Sequence, residues 1–272
     1  MLKLVILIIY FAVLIGIGLY CRKHATDVNG FVLGGRSVGP WLTAFAYGTS
    51  YFSAVVFVGY AGQFGWKYGI AATWAGIGNA IIGSLLAWVV LGRRTRIMSQ
   101  HLDSATMPQY FGKRFGSNPL KIGASVIIFI FLIPYTASLY NGLSRLFGMA
   151  FNIDYSVCII IMATLTAIYV IAGGYMATAI NDFIQGIIML FGIVAVIAAV
   201  IHSKGGFMSA LQGLANVSDP AVSDTPGIFA SFFGPDPFNL LCVVILTSLG
   251  TWGLPQMVQK FYAIDNEASI QK

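Results

Sequence analysis

Long apolar runs alternate with short polar stretches along the whole chain. From the N-terminus the runs cover about 3–20, 39–65, 70–92, 120–147, 155–172, 180–202 and 238–259. Each is close to or above the roughly 20 apolar residues that a helix needs to cross a bilayer. Lipid cannot satisfy a free N–H or C=O, so a segment in it must bond its own backbone, as a helix does. The pattern therefore predicts an all-α polytopic membrane protein with about seven transmembrane helices. The breaks between runs carry turn chemistry, as in GGRSVGP (34–40), FGSNP (115–119), AGGYMAT (172–178) and the Asp-, Pro-, Gly- and Ser-rich stretch 203–237.

Charge then orients the chain. Seven spans place 21–38, 93–119, 173–179 and 260–272 on one side. With Lys121 counted at its helix end, that side holds eleven of the 15 Lys and Arg. These residues favour the cytoplasmic side, so a multi-pass protein of the cell membrane with its N-terminus outside is expected. Only 9% of the 272 residues are charged and 58% are hydrophobic, against about 25% charged in a soluble domain. The net charge of +6 thus speaks of membrane topology and not of a nucleic-acid partner. The first apolar run precedes Arg22 and Lys23, the reverse of a signal peptide, and reads as a retained helix. The basic, aromatic connection 93–119 predicts a short amphipathic helix along the cytoplasmic interface, and 203–237 an extracellular loop.

Little here suits covalent catalysis. His24 and His101 lie in cytoplasmic connections and His202 ends a helix on the other side, so they do not converge on a nucleophile. Cys21, Cys158 and Cys242 sit in or beside apolar runs without metal-ligand spacing. Neither an enzyme nor an organic cofactor is expected.

The informative features are interruptions inside the runs. AYGTSYFSAVVFVG (46–59) places Gly48, Thr49, Ser50 and Ser53 in an apolar stretch. Freed carbonyls near Thr49 and Phe52, with side-chain hydroxyls, suit a hard cation such as sodium; close helix packing by small residues is the alternative. LTSLGTWGLPQ (246–256) has Thr247, Ser248, Thr251, Trp252 and Pro255, and reads as a broken helix able to meet a solute or as a kinked packing helix. IPYTASLYNG (133–142) adds Tyr135, Thr136 and Ser138, for a cavity or an interhelical bond. Asp182 at the start of its run is either a helix cap or an acid that draws ions. Gly-interrupted spans in corresponding places are a sequence pointer to a transporter site.

FVLGGRSVGPWLTA (31–44), AIYVIAGGYMATAINDFIQ (167–185) and WGLPQMVQKFYAIDNEASI (252–270) resemble segments of the sodium:solute symporter family, in the same order, and the resemblance to sodium/proline-type members covers the chain. Tyr175 departs from the family's usual Leu, Met or Phe after the Gly-Gly pair. The resemblance implies a partial LeuT-type inverted-repeat fold: an extra helix at 3–20, the first five-helix repeat at 39–202 and the first helix of the second repeat at 238–259. It implies a sodium-coupled symporter that imports a small organic solute by alternating access. Sodium would meet the backbone carbonyls of Thr49 and Phe52. Solute contacts would fall at Ser53, Tyr135, Thr247, Thr251 and Trp252, and at Tyr51, where proline-type members carry Asp. Asp182 matches the family's vestibule aspartate. Because family members are longer, the chain reads as a fragment, with the remaining half expected as further sequence or a separate chain. The rival function is a membrane sensor or scaffold that keeps this fold without transport.

Overall fold

The computed structural model describes residues 2–52 and 60–271. Helix dominates them, and β-pairing among them is limited to isolated bridges. The α-helices are α1 Leu2–Cys21, α2 Val28–Leu33, α3 Pro40–Tyr51, α4 Ala61–Tyr68, α5 Thr73–Gly78, α6 Arg93–His101, α7 Met107–Phe115, α8 Asn118–Phe151, α9 Tyr155–Ser203, α10 Phe207–Ala215, α11 Pro237–Gly250 and α12 Pro255–Ala263. Among the described residues three helical runs, Ala61–His101, Asn118–Phe151 and Tyr155–Ser203, are long and apolar enough to cross a bilayer, or four if Pro237–Gly253 and Pro255–Ala263 form one span.

Several of the expected runs differ in outline from the elements that form. The run 39–65 is not one helix. Its first part, α3, begins at Pro40, whose missing N–H costs nothing at a helix start, and ends at Tyr51; Phe52 leaves helical geometry with φ −90° and ψ 63°. The runs 155–172 and 180–202 are joined in α9, with no connector at 173–179. Its 49 residues extend about 73 Å at 1.5 Å per residue, more than twice a hydrocarbon core of about 30 Å. A single residue divides it: Gly174, at φ 57° and ψ −151°. Glycine enters that region without penalty, so helical bonding resumes at once on either side. The connection 93–119 holds two helices, α6 and α7, and 203–237 contains α10.

The chain forms two compact units. The first draws on 1–55, 88–186 and 254–272. Its core joins Leu33, Val38, Ala46, Ala105, Tyr175, Ala179, Val258, Tyr262 and Ala263. α1 meets α9 backbone to backbone: a Cβ on Gly173 would stand 2.6 Å from the Gly18 carbonyl oxygen, and one on Gly18 2.8 Å from that of Tyr169. Small residues allow such approach where apolar burial gives helices no preference over lipid. The glycine-rich turn after α2 is sewn to the chain after α12. Val38 N–H donates to the Ala263 carbonyl at 3.3 Å and Asp265 N–H to that of Val38 at 3.0 Å. Arg36 donates to the carbonyls of Ser99, Ser104 and Tyr262 and to the Ser99 hydroxyl. Arg96 reaches the carbonyls of Ile264 (2.6 Å) and Asp265 (2.9 Å). Burial, and then the neighbouring Arg96, hold the Arg36 pKa below its ordinary value, but a guanidinium stays charged throughout.

The second unit draws on 56–87 and 187–253. Its core is Tyr68, Ala71, Ala75, Leu240 and Val244. After α5 the helix widens to π geometry over Asn79–Leu86, and Asp236 caps α11 through a bond from Asn239 N–H at 3.1 Å.

Candidate functional site

The end of α3 opens onto a cavity of about 760 Å³ within the first unit. α3 contributes Thr49 and Ser50; α8 contributes Ser125, Ile128, Phe129, Leu132, Tyr135, Thr136 and Leu139; α12 contributes Pro255, Gln256 and Gln259. The α8 positions recur at three and four residues, so one helical stripe forms that wall. Of the residues expected at a site, Thr49 and Tyr135 line this cavity.

Thr49 donates its hydroxyl to the Phe45 carbonyl at 2.8 Å, back-bonding within α3. α3 lies on α9 at Gly186, where a Cβ would meet the Phe45 ring at 2.6 Å and the Thr49 methyl at 3.1 Å. One turn earlier on α9, Asp182 stands beside the Thr49 hydroxyl. Its carboxylate is not a helix cap, since it lies well inside α9. Its partner is Lys260 of α12, with Nζ 3.6 Å from Oδ2. The ammonium also sits over the Tyr175 ring, 4.9 Å from its centroid, a cation–π contact.

Phe52 donates its N–H to the Gly48 carbonyl at 2.8 Å as α3 ends. Tyr51 is buried and stacks on Tyr47, with centroids 6.1 Å apart; it does not line the cavity. Ser53 lies outside the described residues. Thr247, Thr251 and Trp252 belong to the second unit. There Thr247 donates to the Val243 carbonyl (2.8 Å) and accepts from the Asn79 amide (3.1 Å). Thr251 donates to the Ser248 carbonyl at 2.9 Å, and Trp252 donates its indole N–H to the Ile82 carbonyl at 3.0 Å.

Three polar residues of α12 carry no role in the sequence reading. The Gln256 amide is buried at both oxygen and nitrogen and has no hydrogen-bond partner among the described residues. Gln259 donates to the Val32 carbonyl at 2.5 Å. Lys260 pairs with Asp182. The signal was present in PQMVQK (255–260), where Gln256, Gln259 and Lys260 fall at i, i+3 and i+4, on one face. Among the described residues no group of three or more His, Cys, Asp or Glu could hold a metal. The oxygens near the end of α3 are carbonyls and hydroxyls, donors for a monovalent hard cation and not for a transition metal.

Residues 31–272 match the model of the sodium:solute symporter family. The osmoregulated proline transporter OpuE of Bacillus subtilis is 31% identical over 94% of this chain and 51% of its own length. The sodium/proline symporter of Staphylococcus aureus (strain JH9) is 32% identical over 98% of this chain and 51% of its own. The chain spans about half the length of the curated relatives it matches. With its apolar helices, it is a multi-pass membrane protein, and the match over nearly all of its length shows that the chain belongs to the sodium:solute symporter family.

Proposed function

We propose that the chain is part of a sodium-coupled symporter that brings a small organic solute into the cell by alternating access. Proline is the first solute to test, because the relatives' names refer to it. The observation that carries the reading is the end of α3 inside an apolar run, opening with Thr49 and Ser50 onto a cavity shared with Tyr135 and Gln256. A helix end at membrane depth exposes polar backbone that lipid cannot satisfy, and transporters use such ends to hold ions and solute.

In this reading the carbonyls of Thr49 and Phe52 replace part of the hydration shell of sodium, and Asp182 draws the ion through its charge. Tyr135 of α8 faces the solute; Ser53 and Tyr51, on the segment of Thr49 and Phe52, are the further contacts that the resemblance implies, with Tyr51 packed on Tyr47. Thr247, Thr251 and Trp252 belong to the helix opening the second repeat; the resemblance also names them as solute contacts, and they bond within the second unit. The architecture is the LeuT-type one: seven spans here, with 3–20 as the extra helix, 39–202 as the first repeat and 238–259 as the first helix of the second. The N-terminus is outside and the membrane is the cell membrane. The rest of the second repeat, which would supply the facing wall, is sought in the remaining half of the relatives' length. No covalent step and no organic cofactor enters.

The test is uptake of labelled proline, and of a panel of competing amino acids and sugars, by cells with the gene at its own locus. Uptake above that of a deletion strain should appear in sodium and fall to background when potassium replaces it. Equal uptake in the two salts overturns the coupling. Uptake of none of the panel, with the protein present in the membrane, overturns the solute class.

A further inference from the structure

Lys260 is a buried cation that the transport reading leaves unused. Its side chain is 7% exposed and that of Asp182 23%. The pair is therefore open on the carboxylate side only. Among the described residues, the titratable neighbours within electrostatic range of Asp182 are Lys260 and the phenols Tyr10, Tyr169 and Tyr175. Lys260 is the one positive charge among them. A charge buried in protein is costly, and where it persists in a membrane protein it commonly serves an ion pathway.

The carboxylate stands between two helices. On one side α12 presents the ammonium at 3.6 Å; on the other α3 presents Thr49, one of the residues proposed to hold sodium. Two cations brought to one carboxylate repel each other more strongly here than in water, because the surroundings screen poorly. At 3.6 Å the pair is looser than a charge-assisted hydrogen bond of about 2.7–2.9 Å, so it can be displaced.

We infer that Lys260 is a tethered counter-cation that competes with sodium for Asp182, so that sodium arrival and the pair oppose each other. The inference rests on the sodium-coupled reading above. It assigns Lys260 a positioning role: with no ion near, the ammonium holds α12 to α9, and an arriving ion releases that hold. The apparent sodium affinity of the wild-type protein is then lowered by the fraction of molecules in which the pair is closed.

The experiment measures the sodium concentration that half-saturates uptake in cells with the gene at its own locus, for the wild type and for Lys260→Met, Lys260→Gln and Lys260→Arg. The neutral variants should need less sodium, by about fivefold or more, while Lys260→Arg stays near the wild type. If neutral and charged variants shift together, Lys260 acts through its packing and the inference fails. If none shifts while wild-type uptake depends on sodium, the inference fails and the transport reading stands. Wild-type uptake indifferent to sodium overturns both. A second measurement needs no variant: acylation of Lys260 in wild-type membranes, read by mass spectrometry, should rise in sodium and not in potassium. Equal acylation in the two salts overturns the inference even where the neutral variants do not accumulate.

Discussion

Both units place polar groups inside apolar helices, but they treat them differently. In the second unit Asn79, Thr247, Thr251 and Trp252 each bond to a neighbouring backbone or side chain. Ser248 donates to the Asn79 side-chain oxygen at 3.3 Å, and the Ile82 carbonyl bonded by Trp252 lies in the π-helical turn. In the first unit Gln256 has buried amide atoms without a partner, Asp182 and Lys260 meet as charges, and Thr49 and Ser50 border a cavity. Hydroxyl side chains thus bond between helices in one place and border a cavity in the other. What separates them is the bonding of each group, which composition does not record.

Three substitutions test that contrast, and their expected effects fall in order. Asp182→Leu leaves the Lys260 ammonium buried without its counter-charge, at a cost of about 3–5 kcal/mol, seen as a lower midpoint in thermal unfolding of the detergent-solubilised protein. A loss under about 1 kcal/mol would mean that water reaches the pair as at a surface salt bridge. Asn79→Leu removes the amide that bonds Thr247 and Ser248 and should cost about 1–2 kcal/mol by the same measurement, with the sodium dependence of uptake unchanged. A changed sodium dependence would move that cluster out of the packing class. Gln256→Leu removes a group that has no partner to lose, so the midpoint should stay within about 0.5 kcal/mol of the wild type or rise. Its effect should appear in which solutes compete for uptake. A marked loss of stability with unaltered competition would show that Gln256 supports the fold.

The sequence pattern located the helices well where apolar length alone decides. The run 120–147 lies inside α8, and the first run fills α1. Small and hydroxylic residues also stand where α3 stops. The pattern drew a seven-residue connector where Gly174 suffices, since a glycine at positive φ changes the path of the backbone within one residue and leaves no other trace in composition. At the site, neighbours in sequence diverge. Successive helical residues turn by about 100°, so Thr49 and Ser50 border the cavity while Tyr51 packs on Tyr47. The pairing of Lys260 with Asp182 was not legible. Each residue stands in its own polar or helix-end context, and only the packing of α12 on α9 brings them together.

The stitch between the glycine-rich turn and the segment after α12 also has a consequence for biosynthesis. Arg36 donates to the Tyr262 carbonyl across 226 residues of chain, and Val38 is bridged to Ile264. At a synthesis rate of about 5–20 residues per second, the acceptor follows its donor by about 10–50 seconds. During that interval Arg36 has only its earlier acceptors, on Ser99 and Ser104. The first unit is therefore begun by α1 and α2 and closed only once α12 has been made.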